Sequence, residues 1–169
     1  MGGFLRGLLD RVVLVAAILG GGCVPSFIAQ YRQRLGGRLD QVIQDLAPFK
    51  AIAARDFAGN LEALIRHHAE SGDATFRHEA AAIQQLVDAQ AKLSAAMRAL
   101  DADLFTQFAW LLRHVDMELA RATWAAWQPA FDFTLEGLRF AVLVGILFWA
   151  AFLVVWYAAE TSLRPLAKP

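Results

Sequence analysis

The chain has 169 residues, of which 57% are hydrophobic and 19% charged, and its formal net charge is zero. Soluble domains carry roughly 25% charged residues, so the excess apolarity points to a bilayer, and the balanced charge excludes the basic surface that nucleic acid requires. Cys23 is the single cysteine, which excludes an intramolecular disulfide and leaves the redox compartment open.

In chain order, the first element is a charge-free stretch of twenty residues from Val12 to Tyr31, bounded by Arg11 and Arg32. As a helix it spans about 30 Å, one hydrocarbon core. Pro25 should kink it near Gly21. Ala16/Gly20 and Ala17/Gly21 repeat at i, i+4, a spacing that lets two helix backbones approach closely in lipid. A bacterial lipoprotein signal competes with this span, because Arg6 and Arg11 precede a short apolar run and Gly-Gly-Gly-Cys23. Against it, Leu19 stands four residues before the cysteine instead of three, Asp10 is acidic, and apolar residues continue through Phe27-Ile28.

Residues 32–137 read as amphipathic helices throughout. Gly36-Gly37 is expected to end the first helix. A second should restart at Arg38 and reach about Phe57, bent or interrupted at Pro48. Asn60 should cap a short helix through His68, ended by Ser71-Gly72, with Asp73 capping the next. That longest helix is expected from about Ala74 to Leu100. Ile83, Leu86, Leu93, Met97, Leu100 and Leu104 follow steps of three and four, with Gln90 in the missing slot. This is a coiled-coil-like seam for a partner helix, within this chain or another. Two shorter helices are expected around Asp103–His114 and Asp116–Trp127, before Pro129 breaks the chain. Thr134 with Glu136 then opens the last helix.

That helix contains an uninterrupted apolar run, Phe140 to Tyr157, flanked by Arg139 and Glu160. It ends in Trp156-Tyr157, an aromatic pair suited to the headgroup boundary, and Ala141/Gly145 repeats the small-residue spacing. Trp124 and Trp127 form either a second interfacial collar or part of the head's core. The expected fold is all-α: two transmembrane helices bracketing an antiparallel helical bundle. Its parts are an N-terminal tail and first span (1–31), the bundle (32–137), the second span (138–159) and a short tail (160–169).

Chemistry is weakly represented. His67, His68, His78 and His114 are the residues that raise a metal, but adjacent His67 and His68 point about 100° apart on a helix and no HExxH register exists. They read as surface histidines. There is no nucleophile constellation, no phosphate-binding glycine loop and no ionisable residue inside either apolar stretch, so no catalytic residue, cofactor or metal is expected. Residues 32–137 contain 11 Lys/Arg against 14 Asp/Glu, a net of −3, while the flanks carry 5 against 2. This favours termini in the cytoplasm and the bundle in the periplasm, while Arg32, Arg34, Arg38 and Arg139, close to the spans on the bundle side, favour the inverse orientation.

Pro25-Ser-Phe-Ile-Ala-Gln-Tyr31 followed by Gln33-Arg-Leu-Gly-Gly-Arg-Leu-Asp40 resembles a proteobacterial family of two-span proteins known as domain of unknown function 2937. Further likeness lies at Ser71-Gly-Asp73 with Phe76-Arg77, at Ala122-Thr-Trp124 and at Thr134-Leu-Glu-Gly137. The resemblance implies a bacterial inner-membrane protein with continuous membrane helix around Cys23, and it brings no activity and no site residues. The expected function is therefore non-enzymatic. The chain is read as an accessory or scaffolding protein in contact with the lipid bilayer that binds another membrane protein, or itself, through bundle and spans. An extracytoplasmic ligand-sensing module that needs a partner for output is the alternative.

Overall fold

In the computed structural model, the backbone is described for residues 2–163 and side chains for residues 7–158; Arg6, Glu160 and the C-terminal tail fall outside the described side chains. Six helices occur among the described residues: α1 Gly2–Asp56, α2 Leu61–Ala69, α3 Ala74–Ala99, α4 Leu104–His114, α5 Met117–Ala125 and α6 Leu135–Leu163. The all-helical expectation holds.

The largest departure from the sequence reading is α1, a single helix of 55 residues that would extend about 80 Å. It ends neither at Gly36-Gly37 nor at Pro48. The two glycines weaken a helix without requiring it to stop. Gly36 lies against Met97 of α3, so the neighbouring helix holds the backbone helical there. The true stop comes at Ala58 and Gly59, where φ is 52° and 83°. Gly59 N–H donates to the Ala53 carbonyl at 2.9 Å, closing the left-handed turn that glycine adopts freely. Pro25 also lies inside α1, and the Gly22 carbonyl beside it accepts the Asp132 N–H at 3.0 Å.

The caps expected at Asn60, Asp73 and Thr134 form, and Asp103 and Asp116, expected only as approximate helix starts, serve as caps too. Side chains of Asn60, Asp73, Asp103 and Asp116 accept from N–H groups in the first turns of α2, α3, α4 and α5. Thr134 does the same for α6, accepting from Gly137 N at 3.0 Å.

α3 folds back antiparallel to α1: Lys50 meets Gln90 at 3.2 Å, Gly36 faces Met97, and Arg32 pairs with Asp101. Leu46, Ala53, Leu64, Ala80 and Ile83 are the buried apolar residues at this distal end. At the base, Ile28, Tyr31 and Leu35 of α1 join Leu100, Leu104, Leu111, Leu119 and Phe140 in one core cluster. The charge-free stretch 12–31 therefore serves two environments. Its last turn belongs to the head, and α1 has no break at residue 31 or at Cys23.

Toward the N-terminus, α1 pairs antiparallel with α6. A Cβ on Gly21 would lie 3.0 Å from Val144, and one on Gly145 would run into Ile18, whose backbone is 3.3 Å away. α1 from Gly7 and α6 to Ala158 are both long and apolar enough to cross a membrane. Only 17% of the most apolar stretch of either is buried, whereas the core helix of a soluble protein would be mostly enclosed.

Candidate functional site

The base of the head, where α4, α5 and the loop 126–134 wrap around α1, holds two concave surfaces. α4 is fixed over its first turns. Glu136 Oε1 accepts from Leu104 N at 2.7 Å, and Phe105 and Phe108 pack on Phe140 with ring centroids 5.2 and 5.3 Å apart. α5 is fixed by Tyr31, whose hydroxyl accepts from Asp116 N at 3.1 Å, and by the Arg38–Glu118 pair at 2.9 Å. Burial pushes the Tyr31 hydroxyl pKa up, and the Asp116 N–H opposes this in part by bonding the oxygen. Thr123, fully buried, donates to its own helix at the Leu119 carbonyl, 2.7 Å away.

The loop after α5 is strapped to α1. Trp127 Nε1 and Ala130 N donate to Ser26 Oγ at 3.0 and 3.3 Å, and Gln30 Nε2 donates to the Gln128 carbonyl at 3.1 Å. Phe131 occupies the space a side chain on Gly22 would need, so a larger residue there would displace the loop.

Two clefts result, separated by roughly 120° around α1. One, of about 530 Å³, is lined by polar groups including Arg32, Gln33, Gln107, Asp132 and Glu136. Its charges already serve the fold: Arg32 pairs with Asp101, Glu136 holds the start of α4, and Asp132 accepts from Thr134 N at 2.8 Å. The other, of about 330 Å³, is almost wholly apolar and runs between Phe27 and Ile28 of α1, Leu111 and Leu112 of α4, and Trp124 and Trp127. Both tryptophans pack on Phe27, with centroids 6.2 and 5.7 Å away.

The small residues singled out in the spans divide between two faces. Gly21, Ala141 and Gly145 lie buried where α1 crosses α6, and Ala17 is half-buried. Ala16 and Gly20 are exposed, and a Cβ on Gly20 would meet nothing within 4 Å. Along the seam, Ile83, Leu100 and Leu104 are buried, while Leu86, Leu93 and Met97 are half-buried. Trp156 packs on Phe152 at 5.9 Å, and Tyr157 is exposed.

His68 lies between α2 and α3, with Nδ1 3.3 Å from Glu79 Oε2 in a geometry that makes no hydrogen bond. His67 contacts Phe57 and His68, and His114 stacks on Trp110. No group of three potential metal ligands converges among the described residues.

Two features escaped the sequence. The apolar groove is foreshadowed only by the doubled Leu111-Leu112 on an otherwise two-faced helix. The indole of Trp149 donates to Asp10, a carboxylate two residues before the charge-free stretch, and places it beside the apolar run of α6. Only the antiparallel register of α1 and α6 reveals that neighbour.

A family model described as "Protein of unknown function (DUF2937)" matches residues 5–165. No curated protein and no solved structure matches.

Proposed function

Because the chain belongs to that family of unknown function, we propose from its own geometry that it is a non-enzymatic accessory protein of a bacterial inner membrane. It crosses the bilayer twice and binds another membrane protein or a second copy of itself. The observation that carries this reading is the unused half of the small-residue pattern. Gly21 and Gly145 are filled by the α1–α6 contact, while Ala16 and Gly20 form an open face on the same helix. In lipid such a face is where a further helix packs closely, since apolar contact alone provides no drive for association there. The continuous α1 carries the contact to the head, which by charge distribution lies on the periplasmic side with both termini in the cytoplasm.

Gentle solubilisation from cells producing the protein at native levels tests this. Recovery with a partner, or as an oligomer that Gly20→Leu dissociates, is the expected outcome. A clean monomer with no companion would contradict it.

The polar cleft supports a second reading, a ligand-sensing module that signals through a partner. Its volume of about 530 Å³ falls in the range of small-molecule sites. A thermal-shift screen of the full chain against small polar metabolites checks it, and a flat profile would count against it.

A further inference from the structure

We propose that the apolar groove at the base of the head takes up an acyl chain of a phospholipid from the adjacent leaflet. The proposal rests on the two-span reading of α1 and α6 and is independent of any protein partner.

The groove's chemistry restricts its occupant. Small-molecule pockets of about 300–1,000 Å³ carry a few polar groups that fix orientation. This one, at about 330 Å³, offers almost none. The indole N–H of Trp127 is already given to Ser26 Oγ, and that hydroxyl in turn donates to the Cys23 carbonyl at 2.8 Å. What remains is aliphatic and aromatic surface, which recognises hydrocarbon by contact and by release of water.

Position supplies the second argument. Phe108, on the groove wall, packs against Phe140, the first residue of the charge-free run of α6. Gly21 lies against the Ala141 carbonyl, so Gly22 is level with the start of that run, and Phe27 lies five residues beyond it, about 8 Å along α1. Headgroup layers are roughly 5–8 Å thick on each side of the hydrocarbon core, so the groove sits within reach of a chain leaving the core. Its rim is continuous with that apolar layer. Leu112 and Trp124 are 69% and 66% exposed, an arrangement disfavoured in water and natural beside lipid.

The test uses the full chain in vesicles of phosphatidylethanolamine and phosphatidylglycerol, doped with a phosphatidylethanolamine that carries a diazirine near one acyl terminus. After irradiation, labelled peptides are mapped. Expected is labelling of α4 and α5 in addition to the exposed belt of α6 around Leu147 and Val154. Leu112→Glu at the exposed rim should lower the α4 and α5 labelling about tenfold, the loss that roughly 1.4 kcal/mol of contact produces. Val115 also lines the groove, and Val115→Trp, which fills it, should do the same, with α6 labelling unchanged in both. Leu112 is exposed, so its variant is expected to keep the fold even if the filled groove does not.

Labelling of α6 alone would overturn the acyl site and leave the spans intact. Labelling of α4 and α5 that persists in Leu112→Glu would reduce the contact to nonspecific proximity and overturn it as well. An unlabelled α6 would remove the two-span reading and the proposal with it.

Discussion

The two halves of α1 pack by opposite rules. Between Ile18 and Gly22 the helix meets α6 through glycines, Gly21 and Gly145, at backbone distance. From Ile28 to Leu46 it meets the head through Ile28, Tyr31, Leu35 and Leu46, all nearly or fully buried. The proposed two-span placement accounts for the difference. In water, burying a large apolar side chain stabilises by about 1.5–3 kcal/mol, so bulk is favoured at the contact. Between lipid chains that gain disappears, and close packing of small residues takes over. On the two-span reading, one uninterrupted helix thus records where the water ends.

The contrast should break most sharply at Leu46. Leu46→Ala removes a side chain with no exposed surface and should destabilise the head by about 2–5 kcal/mol in urea unfolding. Leu19→Ala, on the exposed face of the span, should change stability by no more than about 0.5 kcal/mol. Equal losses would mean that both halves pack alike.

Gly145→Leu should come next. Overpacking against the Ile18 backbone costs about 1–3 kcal/mol and should separate the helix pair, read as loss of a disulfide engineered across α1 and α6. Gly20→Leu should leave that disulfide intact, since nothing stands near Gly20.

Among the described residues, the capped helix starts lie in the head and at its base. Asp73→Ala should lose about 1 kcal/mol by unsatisfying the start of α3, measured from the thermal midpoint of the full chain. The smallest effect concerns Asp103. The Thr106 hydroxyl, with backbone N–H groups, holds its carboxyl below the usual carboxylate range. A carboxylate with a lowered folded pKa stabilises above its unfolded value, and that contribution is lost as pH falls through the folded value. Thr106→Val should therefore make the head less sensitive to acid below about pH 4, a difference that acid titration followed by circular dichroism resolves.

Much of this was legible in the residues. Asn60, Asp73, Asp103, Asp116 and Thr134 each announce a helix start, because a short polar side chain before an apolar period has one efficient use. The run Phe140–Tyr157 needed only its length and lack of charge. The end of α1 was harder. Gly36-Gly37 and Gly59 carry similar local signals, and the choice between them rests on α3 packing along α1, which no local pattern encodes. The apolar residues from Val24 to Tyr31 likewise read as membrane helix, although Ile28 and Tyr31 are buried by α4 and α5, far away in sequence. At the candidate site Trp124 and Trp127 were visible as residues. The groove beneath them depends on Ser26, Gln30 and Gly22 tying down the loop 126–134, hydrogen bonds that composition does not foretell.

The continuity of α1 from span to head is the claim on which the rest depends. Spin labels introduced by Leu19→Cys and Gln44→Cys, with Cys23→Ala, allow the distance between two exposed positions to be measured in lipid nanodiscs. An unbroken helix places their backbones about 37 Å apart, with a narrow distribution. A broad distribution, or one centred well below that value, would mean that α1 breaks at Gly36-Gly37 or Pro25 and would contradict the account.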